Sequence, residues 1–351
     1  MEEFKSKLSH NDYANEGSVT AKCSSNIALI KYWGKKNIQI PMNPSLSFTL
    51  TESFTESNVK FTPKDTGEFM VNVYLDGQLN ELFVPRIYTF FERIESYIPF
   101  LRNIEFEIHT HNTFPHSSGI ASSASGMGAL ALCLVEMEEK FGADFTGEEK
   151  LKKASFLARL GSGSACRSLY PGLAVWGKSE FVEGSSDLYA IPYPYEVDEV
   201  FRDFQDTILL IDEGQKKVSS SVGHKLMENH PYARQRFVSA NENLDKIIPA
   251  LKEGNLKIFG EIVEHEALSL HAMMLTSFPS FMLMKPNTIA VIEKIRDFRK
   301  QTSANLYFTL DAGANVHLLY PENEKKFCMN FIESDLKTFC ANEKFINDFS
   351  F

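Results

Sequence analysis

FPHSSGIASSASGMGALALCL, residues 114–134, passes from a loop of serines and glycines into an apolar run with almost no bulky side chain at the junction. A helix entered this way presents unsatisfied backbone N–H groups at its start, and the helix dipole makes that end positive. Small residues leave the donors reachable. Gly119 and Gly126 allow close backbone approach, while Ser122, Ser123 and Ser125 carry hydroxyls that can cap the helix or bond phosphate oxygens directly. The stretch therefore predicts a phosphate site at a helix N-terminus, with a tightly packed start and an ordinary serine cap as the plainer alternative. No Gly-Lys-Ser/Thr follows the glycines, which excludes Walker A, and the G-x-G-x-x-G spacing fails as well. A lysine serving a nucleotide here must come from elsewhere in the chain.

Downstream, Met127, Leu130, Ala131, Leu134 and Met137 recur at helical spacing, and Gly142 supplies a stop. Thr146 and Glu149 fit a capping box, opening a second helix through Leu151, Ala154 and Ala158 to Gly161. Upstream, residues 26–30 are continuously apolar, and 45–51 and 104–111 alternate, which reads as half-buried strands. A strand is expected over 173–177. After the Pro-rich segment 189–199, taken as a linker, the pattern restarts with a strand over 207–212, helices between Ser221 and Ile295, and two strands around a Gly turn over 306–321. Two domains, 1–200 and 201–351, suit the 351-residue length.

The formal net charge of −10 argues against a general nucleic-acid binder, so any phosphate chemistry must be local. Cys23, Cys133, Cys166, Cys328 and Cys340 have no CxxC spacing and an odd total, which suits reduced thiols. The start MEEFKSKLSHND lacks the basic and apolar regions of a signal peptide, and no apolar run approaches the ~20 residues that span a bilayer. A soluble cytoplasmic protein that binds no membrane is expected.

Other polar groups cluster at strand ends. The apolar strand at 26–30 gives way abruptly to Lys31, Tyr32, Trp33, Gly34, Lys35 and Lys36. A second Ser and Gly loop, GSGSACRSLYPG (161–172), has Arg167 as its one cation, and arginine's planar fork suits a carboxylate. Asp311 stands where a strand meets the turn DAGAN, a position Asp also favours for local reasons. His109 and His111 share a strand face as metal ligands do, but Glu105 and Glu107 beside them fit a solvated face better.

Taken in order, NIALIKYWGK, NPSLSFTL, FPHSSGIASSASG, GSGSACRSLYPG, KKVSSSVG and DAGAN resemble the mevalonate diphosphate decarboxylases of the GHMP small-molecule kinase superfamily, over residues 19–320. The resemblance implies a GHMP-kinase-like α/β (α+β) fold. Its N-terminal domain would be a ribosomal-S5-like βαβ unit and its C-terminal domain α/β, with ATP, Mg2+ and mevalonate 5-diphosphate in the cleft between them. It implies that ATP phosphorylates the tertiary hydroxyl, after which phosphate and CO2 leave to give isopentenyl diphosphate. Asp311 would take the hydroxyl proton, Arg167 would grip the carboxylate and Lys31 would neutralise the phosphoryl group in flight. Tyr32, Lys35, Ser162, Ser164, Ser219 and Ser220 would hold substrate oxygens. Ser118, Gly119, Ala121, Ser122, Ser123 and Ser125 would hold ATP phosphates, with Mg2+ carried on those phosphates. A homodimer is also implied. The chain departs from the family pattern at Pro44, His116, Ser117, His224 and Ala314, which leaves the choice between the mono- and diphosphate substrate open. The alternatives are a mevalonate-phosphate kinase or phosphomevalonate decarboxylase of the same superfamily, and a metabolite-binding protein without catalysis.

Overall fold

The computed structural model describes residues 1–350 apart from Ser9, Ala14, 116–119 and 215–219. In chain order the first half runs β1 (Gly17–Ile30), a short hairpin β2 (Lys35–Lys36) and β3 (Ile40–Pro41), β4 (Ser45–Pro63), β5 (Met70–Leu75), β6 (Gln78–Leu79), α1 (Val84–Ile94) and β7 (Ile104–Asn112). Then come α2 (Ser122–Lys140), α3 (Gly147–Gly161), β8 (Leu173–Trp176) and β9 (Ile191–Pro192). The second half runs β10 (Gln205–Leu209), α4 (Ser220–Leu226), α5 (Ala233–Lys252), α6 (Leu256–Leu275), α7 (Pro286–Thr302), β11 (Tyr307–Thr309), β12 (Val316–Tyr320), α8 (Lys325–Phe331) and β13 (Phe345–Phe349).

The N-terminal sheet has the order β6-β5-β7-β4-β8-β9, and β1 pairs along β4. Its one parallel pair, β5 and β7, is joined through α1, a βαβ crossover. Helices α1, α2 and α3 cover one face through Phe90, Phe91, Leu130, Leu134 and Phe156. Helix α2 lies unusually close to the sheet: a Cβ at Gly128 would stand 2.3 Å from the Cys23 sulfur. The Thr146–Glu149 capping box forms as expected at the start of α3.

The second sheet, β11-β12-β10-β13, is antiparallel throughout. The two sheets share a core in which Ile27, Leu29, Leu46 and Phe48 from β1 and β4 meet Leu244, Ile247, Phe259 and Val263 from α5 and α6. They are also stitched by a carboxylate. Between the pairs Ser24↔Phe54 and Asn26↔Thr49 the β1–β4 register slips, leaving residues 50–53 of β4 outside the ladder. Buried Asp348 of β13 accepts from the freed backbone N–H groups of Thr51, Glu52 and Ser53 at 2.9, 2.9 and 2.8 Å. At the buried Ser53 N–H an unmade bond would cost about 1–3 kcal/mol, so this one side chain helps fix the bulge.

Two expectations shift. The strands read at 26–30 and 45–51 are the ends of much longer β1 and β4. The segment 189–199 is not a free linker: Ile191 and Pro192 add to the sheet edge as β9, and Glu199–Phe201 form a 3-10 turn.

Candidate active site

A cleft of about 760 Å3 lies where the end of β1, the start of α2, the α3–β8 loop, α1, α4 and the β11–β12 turn converge. Its described lining carries five cations, Lys31, Lys35, Arg86, Arg93 and Arg167, against a single carboxylate, Asp311. In a chain of net charge −10 this is a local reversal of sign. Such a cleft draws in polyanions.

At one end Lys31 Nζ lies 3.2 Å from Asp311 Oδ1. Lysine 31 is 1% exposed; burial pushes its ammonium down from the ordinary range, and the Asp311 carboxylate pulls it back. The backbone around this pair is clamped by side chains of α5 and α6 and by Asn43, just before β4. The N–H of Lys31 donates to Glu266 Oε2 at 2.8 Å, and its carbonyl accepts from Asn43 Nδ2 at 3.0 Å and Arg236 Nη2 at 3.3 Å. Glu266 in turn accepts from Arg236 at 2.6 Å and from Asn243 at 2.7 Å. On the other side of the pair, the Asp311 carbonyl accepts from His271 Nε2 at 3.0 Å, and burial pushes that imidazole down to about 4.

Arg167 is also buried, and it is held by neutral groups alone. Its guanidinium donates to Ser47 Oγ at 2.9 Å, Ser45 Oγ at 2.6 Å and Asn26 Oδ1 at 3.2 Å. No carboxylate among the described residues pairs with it, so its fork is oriented without its charge being neutralised. Ser162 ends α3, and Ser164 lines the cleft beyond it. Between them, Gly163 is required by close approach, since a Cβ would lie 2.8 Å from the Trp176 ring and 3.0 Å from Tyr32 Oη. That hydroxyl is buried and makes no hydrogen bond among the described residues.

At the start of α2, Ala121 adopts the left-handed conformation with φ 44°, turning the chain into the helix. Ser122 and Ser123 line the cleft, and Ser123 Oγ accepts from Arg86 Nη1 at 3.1 Å. Ser125 does not face the cleft as expected. One residue pair further along a helix points a side chain to another face, and its fully buried hydroxyl accepts from Thr55 at 2.7 Å and donates to the Ser122 carbonyl at 3.3 Å. It ties α2 to β4. Ser118, Gly119 and Ser219, with His116 and Ser117, lie outside the described residues, as does the side chain of Ser220.

Opposite α2, helix α1 supplies Arg86 and Arg93, and Arg93 Nη1 donates to the Leu160 carbonyl at 2.8 Å. Lys35 reaches Gln39 Oε1 at 3.0 Å, and burial together with Arg93 lowers its ammonium. None of these three cations has a carboxylate partner among the described residues. His109 and His111 stand outside the cleft, where His109 pairs with Glu107 on the solvated face expected for it.

A diphosphomevalonate decarboxylase-like N-terminal domain matches residues 23–189, and a mevalonate 5-diphosphate decarboxylase C-terminal domain matches residues 207–350. The chain belongs to the diphosphomevalonate decarboxylase family. It is 28% identical over 329 residues to the diphosphomevalonate decarboxylase of Candida albicans, covering 87% of this chain and 84% of that one. The crystal structure of a mevalonate diphosphate decarboxylase from Staphylococcus aureus superposes with a TM-score of 0.82 at 30% identity over 96% of each chain. A further solved relative, in complex with MVAPP, AMPPCP and magnesium, superposes at 0.81 with 30% identity, covering 96% of this chain and 97% of that one. The two-domain GHMP-like α/β fold is that of the decarboxylase family.

Within this decarboxylase framework, sequence reading missed the clamp on Lys31 and the cationic face of α1. Glu266 did leave a signal: it falls on the stripe Phe259, Ile262, Val263, Ala267 and Leu270 that α6 buries, where a carboxylate needs a partner. Arg86 and Arg93 sit seven residues apart on one face of α1, but nothing in that pattern distinguishes a cleft from solvent.

Proposed function

We infer that this chain decarboxylates mevalonate 5-diphosphate in an ATP-dependent reaction, giving isopentenyl diphosphate, ADP, phosphate and CO2. The observation that carries the reading is the Lys31–Asp311 ion pair standing in one cleft with the buried, unneutralised guanidinium of Arg167. A proton acceptor, a charge for the phosphoryl group and a fork for a carboxylate are the three functions the reaction needs at one carbon.

In this reading Asp311 orients the tertiary hydroxyl and accepts its proton as the oxygen attacks the γ-phosphorus of ATP. Lys31, paired with the Asp311 carboxylate, offsets charge on the transferring phosphoryl group. Arg167 holds the carboxylate in the plane set by Ser45, Ser47 and Asn26. Phosphorylation converts a poor leaving group into a good one, and cleavage of that C–O bond accepts the electron pair released as CO2 departs, so no electron-sink cofactor is needed. Tyr32, Lys35, Ser162, Ser164, Ser219 and Ser220 would hold the substrate's oxygens. Ser118, Gly119, Ala121, Ser122 and Ser123 would hold the ATP phosphates at the start of α2. Mg2+ screens those phosphates when bound. With Asp311 the one carboxylate in the described lining, the metal would enter on the nucleotide and not in a protein cage.

We further propose that the chain divides into domains near residue 200 and works as a homodimer in the cytoplasm. The five buried free cysteines suit a reducing compartment, and no described helix is long and apolar enough to cross a membrane. The function is tested by supplying purified protein with ATP, Mg2+ and either mevalonate 5-phosphate or 5-diphosphate. CO2 release with the diphosphate is expected; release with the monophosphate alone would reassign the substrate.

A further inference from the structure

His224, on α4, is buried beside the cleft and lines it. Its Nδ1 lies 3.0 Å from the backbone nitrogen of Gly34. A peptide N–H can only donate, so Nδ1 is the bare nitrogen and the ring carries its proton on Nε2. The ring is packed against Tyr32 and Trp33, with centroids 4.2 and 4.6 Å away and interplanar angles of 34° and 37°. Close approach of the helix depends on Gly223, where a Cβ would stand 2.6 Å from the Trp33 ring. Burial, reinforced by Lys35, pushes the imidazole down to about 3. His224 is thus a fixed, uncharged ring that accepts at Nδ1 and can only donate at Nε2.

The same corner holds other unmet donors. Among the described residues, buried Tyr32 Oη and Trp33 Nε1 have no hydrogen-bond partner, and His224 makes its one side-chain hydrogen bond through Nδ1, leaving Nε2 without an acceptor. Buried polar groups are nearly always paired, so a cluster of unpaired ones beside a cationic cleft marks where a ligand's acceptors sit. Lys35, Arg93 and Arg86 already repel one another along this wall. A further cation would add to that repulsion in the empty enzyme; a neutral donor adds direction without it.

We propose that His224 is a specificity-determining residue that donates its Nε2–H to a phosphate oxygen of the bound substrate at the Lys35 end of the cleft. This rests on the decarboxylase reading and assigns within it the group that recognises the phosphate end. The Gly34 N–H holds the tautomer, the two aromatic rings hold the plane, and the donor points where an oxygen must arrive. The interaction does not depend on protonating the ring.

The test compares wild type, His224→Asn and His224→Gln with mevalonate 5-diphosphate as varied substrate. Asparagine places an acceptor at the Nδ1 position, serving Gly34, but is too short to reach the phosphate. Glutamine places an amide donor at the Nε2 position and leaves Gly34 unserved. KM for mevalonate 5-diphosphate is expected to rise about tenfold in His224→Asn, which is about 1.4 kcal/mol. It should rise much less in His224→Gln, with kcat and KM for ATP little changed in either. Asparagine behaving as wild type while glutamine is impaired would show that the ring only supports Gly34 and overturn the proposal. So would equal KM values in all three proteins. Failure of the wild type itself to turn over would strike the decarboxylase reading instead. A second readout needs neither turnover nor a stable variant: 15N-histidine NMR of the wild type, with the His224 ring assigned by through-space contacts to Tyr32 and Trp33. The Nε2-protonated neutral form is expected at neutral pH, with its Nε2 resonance moving as inorganic diphosphate is added. An Nδ1-protonated ring, or an Nε2 resonance unmoved at saturating diphosphate, would overturn the assignment.

Discussion

The Lys31 end and the Lys35 end of the cleft start from neighbouring positions after β1, yet they solve opposite problems. At the Lys31 end the polar groups are held by protein partners: the ammonium by Asp311, the peptide by Glu266, Asn43 and Arg236, and the guanidinium of Arg167 by three neutral oxygens. At the Lys35 end Arg86, Arg93 and Lys35 find, among the described residues, a hydroxyl, a carbonyl and an amide oxygen and no carboxylate. Under the proposed function the first arrangement is the one preorganised for charge that develops during reaction. The second is a surplus of charge for anions that arrive already formed. Changes at the first end should therefore act on kcat and changes at the second on KM.

The sharpest break is Asp311→Asn. The amide fills the same space and still faces Lys31, but it cannot accept the hydroxyl proton, so kcat should fall by about 10²–10⁴. Ligand binding measured by calorimetry should persist. A variant retaining most of its turnover would make Asp311 a turn residue only. Next in size is Arg167→Lys, which keeps the charge and loses the fork. Since truncating one partner of a buried charged hydrogen bond costs about 2–5 kcal/mol, a loss of roughly tenfold or more in kcat/KM is expected from steady-state kinetics. Unchanged kinetics would remove the carboxylate assignment.

Arg93→Gln probes the other end. KM for the diphosphate substrate should rise by about tenfold with kcat preserved, the size of one charge-assisted hydrogen bond to a ligand. A fall in kcat at unchanged KM would erase the division between the two ends.

A smaller effect joins them, because each end contains a histidine held neutral: His271 behind Asp311 and His224 beside Lys35. Their folded values, about 4 and about 3, lie below the ordinary 6.5. As pH falls below 6.5 the unfolded chain takes up protons that the folded chain refuses. Stability is therefore full above that value and is lost as pH drops toward the folded values, by about 1.4 kcal/mol per pH unit for each ring. Urea midpoints measured across that window should fall steadily with acid, and His271→Gln should flatten the slope. The smallest effect is expected at His109→Ala, on the solvated sheet face, where kcat and KM should not move.

How far the sequence disclosed this depends on which side chains face inward. Thr146 and Glu149 announced α3 because a capping box is a local interaction, and the apolar periodicity of α2 was plain. Strand β4 was cut short at residue 51 for a physical reason: its buried face carries Ser53, Thr55 and Ser57 before Val59 and Phe61, so the alternation exists in burial but not in hydropathy. Thr55 is inside because Ser125 and Asn112 share its hydroxyl. Ser125 was misread for the matching reason: a serine at a helix start looks the same whether it faces phosphate or a neighbouring strand. Asp311, Lys31 and Arg167, which the structure brings into one cleft, were singled out by their motifs, whereas Glu266, Arg236, Arg86, Arg93 and His271 depend on helix faces that only packing defines.

The claim that the Lys31 end couples phosphoryl transfer to decarboxylation is tested most directly by following the γ-phosphate. With ATP labelled there, Mg2+ and mevalonate 5-diphosphate, the label should appear as free inorganic phosphate in step with CO2, one for one, and neither should form without the substrate. Label retained on an organic product, or free phosphate released without CO2, would contradict the account.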